Sequence, residues 1–351
     1  MNRDHGKSER LLSALGELSD NLVLSAAQEK ETTLRSRKPR WAAVLVTAVL
    51  ALVFAVGAGA AGGHIPVLSD LFAPAFYYGE EGGGPDIELL EQMGEPIGVS
   101  VEKQGVTVTV RSMLRDRYTL TLVLSVQKQG IEREEFLFDW NRLIINDSRV
   151  LEGGSGGIGY GVRGDDTIDY TITWREQEPI PDGKMELILA NLTVKPYAMF
   201  GLLGEKHIND TWNLEFEAHT EDLSWEIPAG QHTTMDGAEA VLDEIILSPL
   251  SLTVKYTAER ELSFFFEGYE HPDFTITLKD GTRLFNNLWY REKENPEEYG
   301  SGDTESISGA MWDSKPEGDH YRHFYTVNFT RLIPLEDVES LVIEGQEIPL
   351  Q

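Results

Sequence analysis

YTLTLVLSV, residues 118–126, holds no charge, no glycine and no proline, and fills most positions with β-branched or aliphatic residues. Such residues suit a pleated, half-buried surface. Polar clusters break the run at both ends, LRDR before it and QKQG after it. The same texture continues outward through GVTVTV (105–110), RLIIND (142–147), DYTITW (169–174), KMELILANLTV (184–194) and TWNLEFEA (211–218). Short strand-like runs divided by Gly, Asp, Asn and Pro, with no long helical pattern among them, predict an all-β sandwich architecture from about Ile97 onward.

Three segments recur in the same order. TLTLVLSV (Thr119–Val126) resembles LSLTVKYT (Leu250–Thr257), IINDSRV (Ile144–Val150) resembles TLKDGTRL (Thr277–Leu284), and DYTITWREQEPIP (Asp169–Pro181) resembles FYTVNFTRLIP (Phe324–Pro334). The wider spacing before the last match predicts an insertion in the second copy, in the charged stretch Arg291–Gly318. The repeat predicts two tandem immunoglobulin-like β-sandwich domains, 96–232 and 233–351, joined near Gly230–Gly237.

Upstream, Trp41–Ala61 has Thr47 as its only conventional polar side chain. As a helix rising about 1.5 Å per residue it measures roughly 31 Å, which matches a hydrocarbon core of about 30 Å. A secretory signal has an apolar core of about 7–15 residues and lies nearer the start of a chain, so this segment is expected to remain as one transmembrane helix, 41–62. Arg35, Arg37, Lys38 and Arg40 precede it, and the next cation is Lys103. Cationic flanks stay in the cytoplasm. The expected location is therefore the cell membrane, single-pass, with the N-terminus cytoplasmic, 63–95 a juxtamembrane connector and the β region extracellular. Within 1–40, Leu11, Leu15, Leu18 and Leu22 fall on one face of a short amphipathic helix. Some forty residues cannot bury a core of their own, so the stripe predicts a protein partner's groove.

Of the 30 Lys and Arg, 8 lie in 1–40, as do 6 of the 59 Asp and Glu; residues 41–351 thus hold 22 basic against 53 acidic residues, a charge of −31. So acidic a region repels nucleic acid, whose binding needs clustered cations. With no cysteine there are no disulfides, zinc–thiolate sites or cysteine nucleophiles. GGSGGIGYG (Gly153–Gly161) satisfies both G-x-S-x-G and G-x-G-x-x-G, but each motif needs a helix directly after it. The next residues, VRGDDTIDYTITW (162–174), are strand-like, so the glycines read as an inter-strand loop. His320 and His323 are three apart beside a strand, where such positions face opposite sides. No catalytic residue, metal site or cofactor is expected, and the chain does not read as an enzyme. Trp140, Trp174, Trp212, Trp225, Trp289 and Trp312 read as core, with Trp289, Tyr290 and Trp312 as an alternative carbohydrate-binding face.

The inner helix ending in a basic cluster, the single span, HIPVLSDLF (64–72) and GEPIGVSVEKQGVTVTVRSMLRDRYTLTLVLSV (94–126) together resemble single-pass membrane anti-sigma-factor-like proteins of Gram-positive bacteria. SPLSLTVKY (248–256) resembles the opening of their second extracellular domain of unknown function. The resemblance implies a negative effector of an extracytoplasmic-function sigma factor. Leu11, Leu15, Leu18 and Leu22 would then hold the sigma factor, and the outer domains would sense an unknown extracellular ligand. The zinc-binding type of anti-sigma module needs cysteine and is excluded. The alternative is a surface binding or adhesion module that residues 1–40 merely anchor.

Overall fold

The computed structural model describes residues 72, 87–129, 134–163, 166–196, 206–262, 265–266, 269–270, 272–286 and 307–350, all within one unit, Phe54–Gln351. Leu11, Leu15, Leu18, Leu22, the four cations at 35–40, the apolar segment 41–62, Trp289 and Tyr290 lie outside the described residues. Among those described, no helix is long and apolar enough to cross a membrane. The one α-helix described is α1 (Ile87–Met93), and almost everything after it is antiparallel strand.

Nine strands make a first pair of sheets: β1 (Gly94–Lys103), β2 (Val106–Arg115), β3 (Thr119–Lys128), β4 (Glu134–Ile145), β5 (Arg149–Glu152), β6 (Ser155–Arg163), β7 (Thr167–Arg175), β8 (Gly183–Pro196) and β9 (Lys206–Ala218). One sheet runs β1-β2-β3-β7-β6, the other β5-β4-β8-β9. The second pair uses β10 (Trp225–Ile227), β11 (His232–Met235), β12 (Ala238–Leu247), β13 (Ser251–Ala258), β16 (Phe274–Leu278), β17 (Arg283–Phe285), β18 (Ile307–Glu317), β19 (His320–Phe329), β20 (Val338–Ile343) and β21 (Gln346–Ile348). Its sheets run β10-β12-β13-β19-β18, with β11 also on β12, and β17-β16-β20-β21. A small hairpin, β14 (Phe265–Phe266) with β15 (Tyr269–Glu270), intervenes. The two orders are the same connectivity written twice, with β1's place divided between β10 and β11.

Each pair of sheets shares one apolar core. In the first, Leu120, Leu122 and Leu124 of β3 meet Leu187 and Leu189 of β8 and Trp212 of β9, all fully buried. In the second, Leu252, Val254 and Tyr256 of β13 meet Ile276 of β16 and Leu341 and Ile343 of β20. Period-two alternation places these side chains inward, as in β9, where Trp212, Leu214, Phe216 and Ala218 are buried and the residues between them exposed. Asn146 and Asp147, both at positive φ, make the tight β4–β5 turn that IINDSRV predicts.

The structure corrects several sequence expectations. The backbone bonds Asp116 N–H to Thr119 O (3.0 Å) and Ser248 N–H to Ser251 O (2.9 Å) make Thr119 the counterpart of Ser251, not of Leu250. One residue of slip would send Leu120 and its neighbours to the wrong face. Thr119 pairs with Arg175 and Ser251 with Asn328, which makes those two counterparts as well. Tyr170 then corresponds to His323 rather than to Tyr325, a shift of two that preserves the face. The glycine-rich run is strand, not loop: Ser155–Arg163 is the edge strand β6 on β7. Likewise Ile307–Glu317, expected inside a charged loop, is strand β18 on β19, so the second copy's insertion falls between β17 and β18. Trp312 packs against the second core, in line with its reading as core and not with the alternative free face. Trp174 and Trp212 are core as expected, whereas Trp140 and Trp225 are exposed.

Gly154 explains one glycine before β6. A Cβ there would lie 2.6 Å from Ile172 Cγ2 and 2.6 Å from Trp174 Cε2. Both neighbours are buried and cannot yield without disturbing the core. Gly154→Ala is expected to destabilise the fold by about 1–3 kcal/mol through overpacking. Urea unfolding should show a lower midpoint at unchanged slope; an unmoved midpoint would contradict this packing.

Candidate functional site

Among the described residues, a set of buried polar groups converges at the junction between the two sheet pairs. It begins in two turns. In the β2–β3 turn, Asp116 Oδ1 accepts from the amides of Tyr118 (3.0 Å) and Thr119 (2.7 Å). In the β12–β13 turn, Ser248 Oγ accepts from the amides of Leu250 (3.0 Å) and Ser251 (2.8 Å). Asp and Ser both favour such turns because their short side chains can cap the amides two and three residues on. The counterparts then meet. Asp116 Oδ2 accepts the hydroxyls of Ser248 and Ser251, each at 2.5 Å. Beside them Arg175 Nε donates to its own counterpart, Asn328 Oδ1, at 2.5 Å.

This contact follows the pattern of an isologous interface, in which the same patch of each copy touches its equivalent. Asp116 and Ser248 are 1% and 0% exposed. Burial pushes the Asp116 carboxyl above its ordinary range, against the pull of the two hydroxyls and two amides. Burial lowers the Arg175 guanidinium to about 10, with the Asp116 charge opposing that drop.

An aromatic and ionic layer flanks the turns. The Tyr118 ring meets Phe324 edge-on, with centroids 6.1 Å apart, and both join Ile246 in a small apolar cluster. The Tyr118 hydroxyl donates to Glu244. Lys255 Nζ donates to the Tyr118 hydroxyl at 2.9 Å, pairs with Glu244 at 3.1 Å and lies 4.4 Å from the ring centroid. Burial and then Glu244 raise the Tyr118 phenol.

The connector closes the junction on another side. Phe72 and, from α1, Leu89, Leu90 and Met93 pack with Leu114 of β2, Leu250 of the β12–β13 turn and Leu332 after β19. One apolar cluster thus draws on the connector and on both sheet pairs. A Cβ on Gly94 would lie 2.6 Å from Phe72 Cζ, so the chain can pass under that ring only as glycine.

Sequence reasoning misses every one of these junction residues. A signal is present nonetheless: Asp116 and Ser248 each stand two or three residues before the matched strand segments, and both are turn-capping types. The leucine stripe and cationic cluster that the sequence does single out lie outside the described residues. His320 is exposed and His323 buried, as their spacing requires. Among the described residues no group of three or more His, Asp or Glu is arranged to hold a metal ion.

Residues 34–128, from the basic cluster through β3, match a domain of unknown function, DUF4179. Among curated proteins no sequence matches the chain. A crystal structure of a conserved domain protein from Bacillus anthracis is similar at a TM-score of 0.46 and 16% identity, covering 71% of this chain and 76% of that one.

The pH behaviour of Asp116 tests the junction. Its folded pKa lies above the ordinary 3.8, so over the interval between them the folded state binds more protons than the unfolded. Stability contributed by this group is therefore greatest in acid and falls as pH rises through that interval. Asp116→Asn lacks this titration. The stability of the wild type relative to the variant should decline from pH 4 toward neutrality in a series of urea melts. Parallel curves, or a rise, would contradict the placement of the carboxyl.

Proposed function

We propose that the chain is a membrane-anchored regulator rather than a catalyst. Its outer part would be two tandem immunoglobulin-like sandwiches, and its cytoplasmic segment would bind an extracytoplasmic-function sigma factor through Leu11, Leu15, Leu18 and Leu22. The observation that carries the reading is the burial of Phe72 and α1 at the junction of the two sheet pairs. Phe72 and α1, which lie in sequence between the expected membrane helix and the β region, are inserted where both halves of that region meet. Any ligand that changes the fit between the halves alters the footing of the connector, which is the link an outer sensor needs to reach an inner effector. The DUF4179 match gives further support, because it runs unbroken from the basic cluster across the apolar segment into β3.

The competing reading is a surface binding module with an inert anchor. The exposed apolar side chains Leu137, Trp140 and Val150 on the first sheet pair favour it. Affinity purification of the full-length chain from its native membranes separates the two readings. A sigma factor recovered with the wild type and lost with the Leu15→Asp, Leu18→Asp variant is the expected result. Recovery of no sigma factor, or equal recovery with both, would sink the regulatory reading and leave the anchored module.

A further inference from the structure

Beside the junction lies a cleft of about 220 Å³ whose lining includes Gln177 and Glu178 from the first sheet pair and Lys255, Asp313, Lys315 and Arg322 from the second. Lys315 and Arg322 are directly opposed across β18 and β19. Like charges at a directly opposed pair weaken a ladder, and this pair stands in a region that carries −31 overall. Each cation has partial compensation only. One guanidinium nitrogen of Arg322 is 2.6 Å from Glu317, and Lys315 Nζ is 3.6 Å from Asp313. Their side chains are 60% and 67% exposed. The Arg322 guanidinium therefore keeps most of its surface open toward solvent and the cleft. The other wall presents the opposite need, since the Glu178 carboxylate lines the cleft without a cation partner there.

The geometry points to this cleft as a binding site for a phosphate-class oxyanion that also carries a hydroxyl, either hydrogen phosphate or a polyol phosphate. The oxyanion accepts from the Arg322 fork and from Lys315, a pairing that suits guanidinium planarity. The ligand's hydroxyl donates to Glu178, which a simple carboxylate such as acetate cannot do. The site is coupled to the junction through Gln177, and Lys255 of its lining bonds the Tyr118 hydroxyl. Lys315 Nζ donates to Gln177 Oε1 at 2.7 Å, across the two sheet pairs, while Gln177 donates to Asp313. An oxyanion that recruits Lys315 competes with Gln177 and loosens that cross-link. The inference goes beyond the regulatory reading by naming an outer ligand class. Its test needs no sigma factor, so the two can fail separately.

Titration calorimetry on the full-length chain in detergent micelles, at low ionic strength, reads it with inorganic phosphate, poly(glycerol phosphate) and acetate. Phosphate should bind weakly, with Kd on the order of 1 mM. Acetate should bind at least about ten-fold more weakly. Arg322→Gln with Lys315→Gln, both at exposed positions, should abolish binding. Gln177→Ala should tighten it a few-fold, because the competitor for Lys315 is gone. Tighter binding per phosphate by the polymer assigns a polyol phosphate; preference for the free ion assigns inorganic phosphate. No heat with either phosphate, binding unchanged in the double variant, or acetate binding equal to phosphate would overturn the site.

Discussion

The buried carboxylate of Asp116 holds together what the two sheet pairs could not hold alone. Each pair has its own apolar core and the same connectivity, so each accounts for its internal order without the other. Between the pairs, beside two small apolar clusters, runs a short set of polar contacts between equivalent turns, centred on Asp116 and the hydroxyls of Ser248 and Ser251. A buried anion is costly unless its hydrogen bonds are complete, and this one has two hydroxyls and two amides. Removing any one of those partners leaves a buried polar group unsatisfied, at a typical cost of about 1–3 kcal/mol. The contact therefore tolerates little displacement.

That intolerance gives the connector its meaning. Phe72, Leu90 and Met93 bury themselves against Leu114 on one side and Leu250 and Leu332 on the other. Leu250 belongs to the same turn as Ser248 and Ser251, so the apolar seat of the connector and the polar contact around Asp116 share a structural element. Displacing the turn disturbs both. The cleft at Lys315 and Arg322 lies on the outer face of the second pair, where Gln177 reaches across from the first. The cleft, through Lys255 and Tyr118, the polar contact and the described connector residues are neighbours, which in the proposed function would lead from the outer surface toward the membrane.

The strands were legible in the sequence because β-branched and aliphatic runs between turn residues leave few alternatives, and the duplication was visible in three matched segments. Its register was legible too but was laid one residue off: Thr119 on Ser251, Leu120 on Leu252 and Thr121 on Thr253 is the better match, and the turn bonds at Asp116 and Ser248 fix it. The glycines of β6 misled because glycine is read as a loop former, whereas here the run pairs with β7 and Gly154 is needed for contact with Trp174. The junction stayed hidden for a different reason. Asp116, Arg175, Ser248 and Asn328 look like ordinary turn and surface residues, and their burial depends on contacts spanning more than a hundred positions. No local pattern encodes those.

If the shared turn governs the junction, the connector and the two turns open as one unit. Hydrogen exchange of the full-length chain in micelles, comparing wild type with Asp116→Ala, tests this, because local opening reports the cooperative units of a fold. The amides of α1, of Thr119 and of Ser251 should lose protection together in the variant, by a similar factor, while the core strands β8 and β20 keep theirs. Loss of protection in the turns with α1 unchanged would contradict the coupling, and would make the connector a neighbour of the junction rather than part of it.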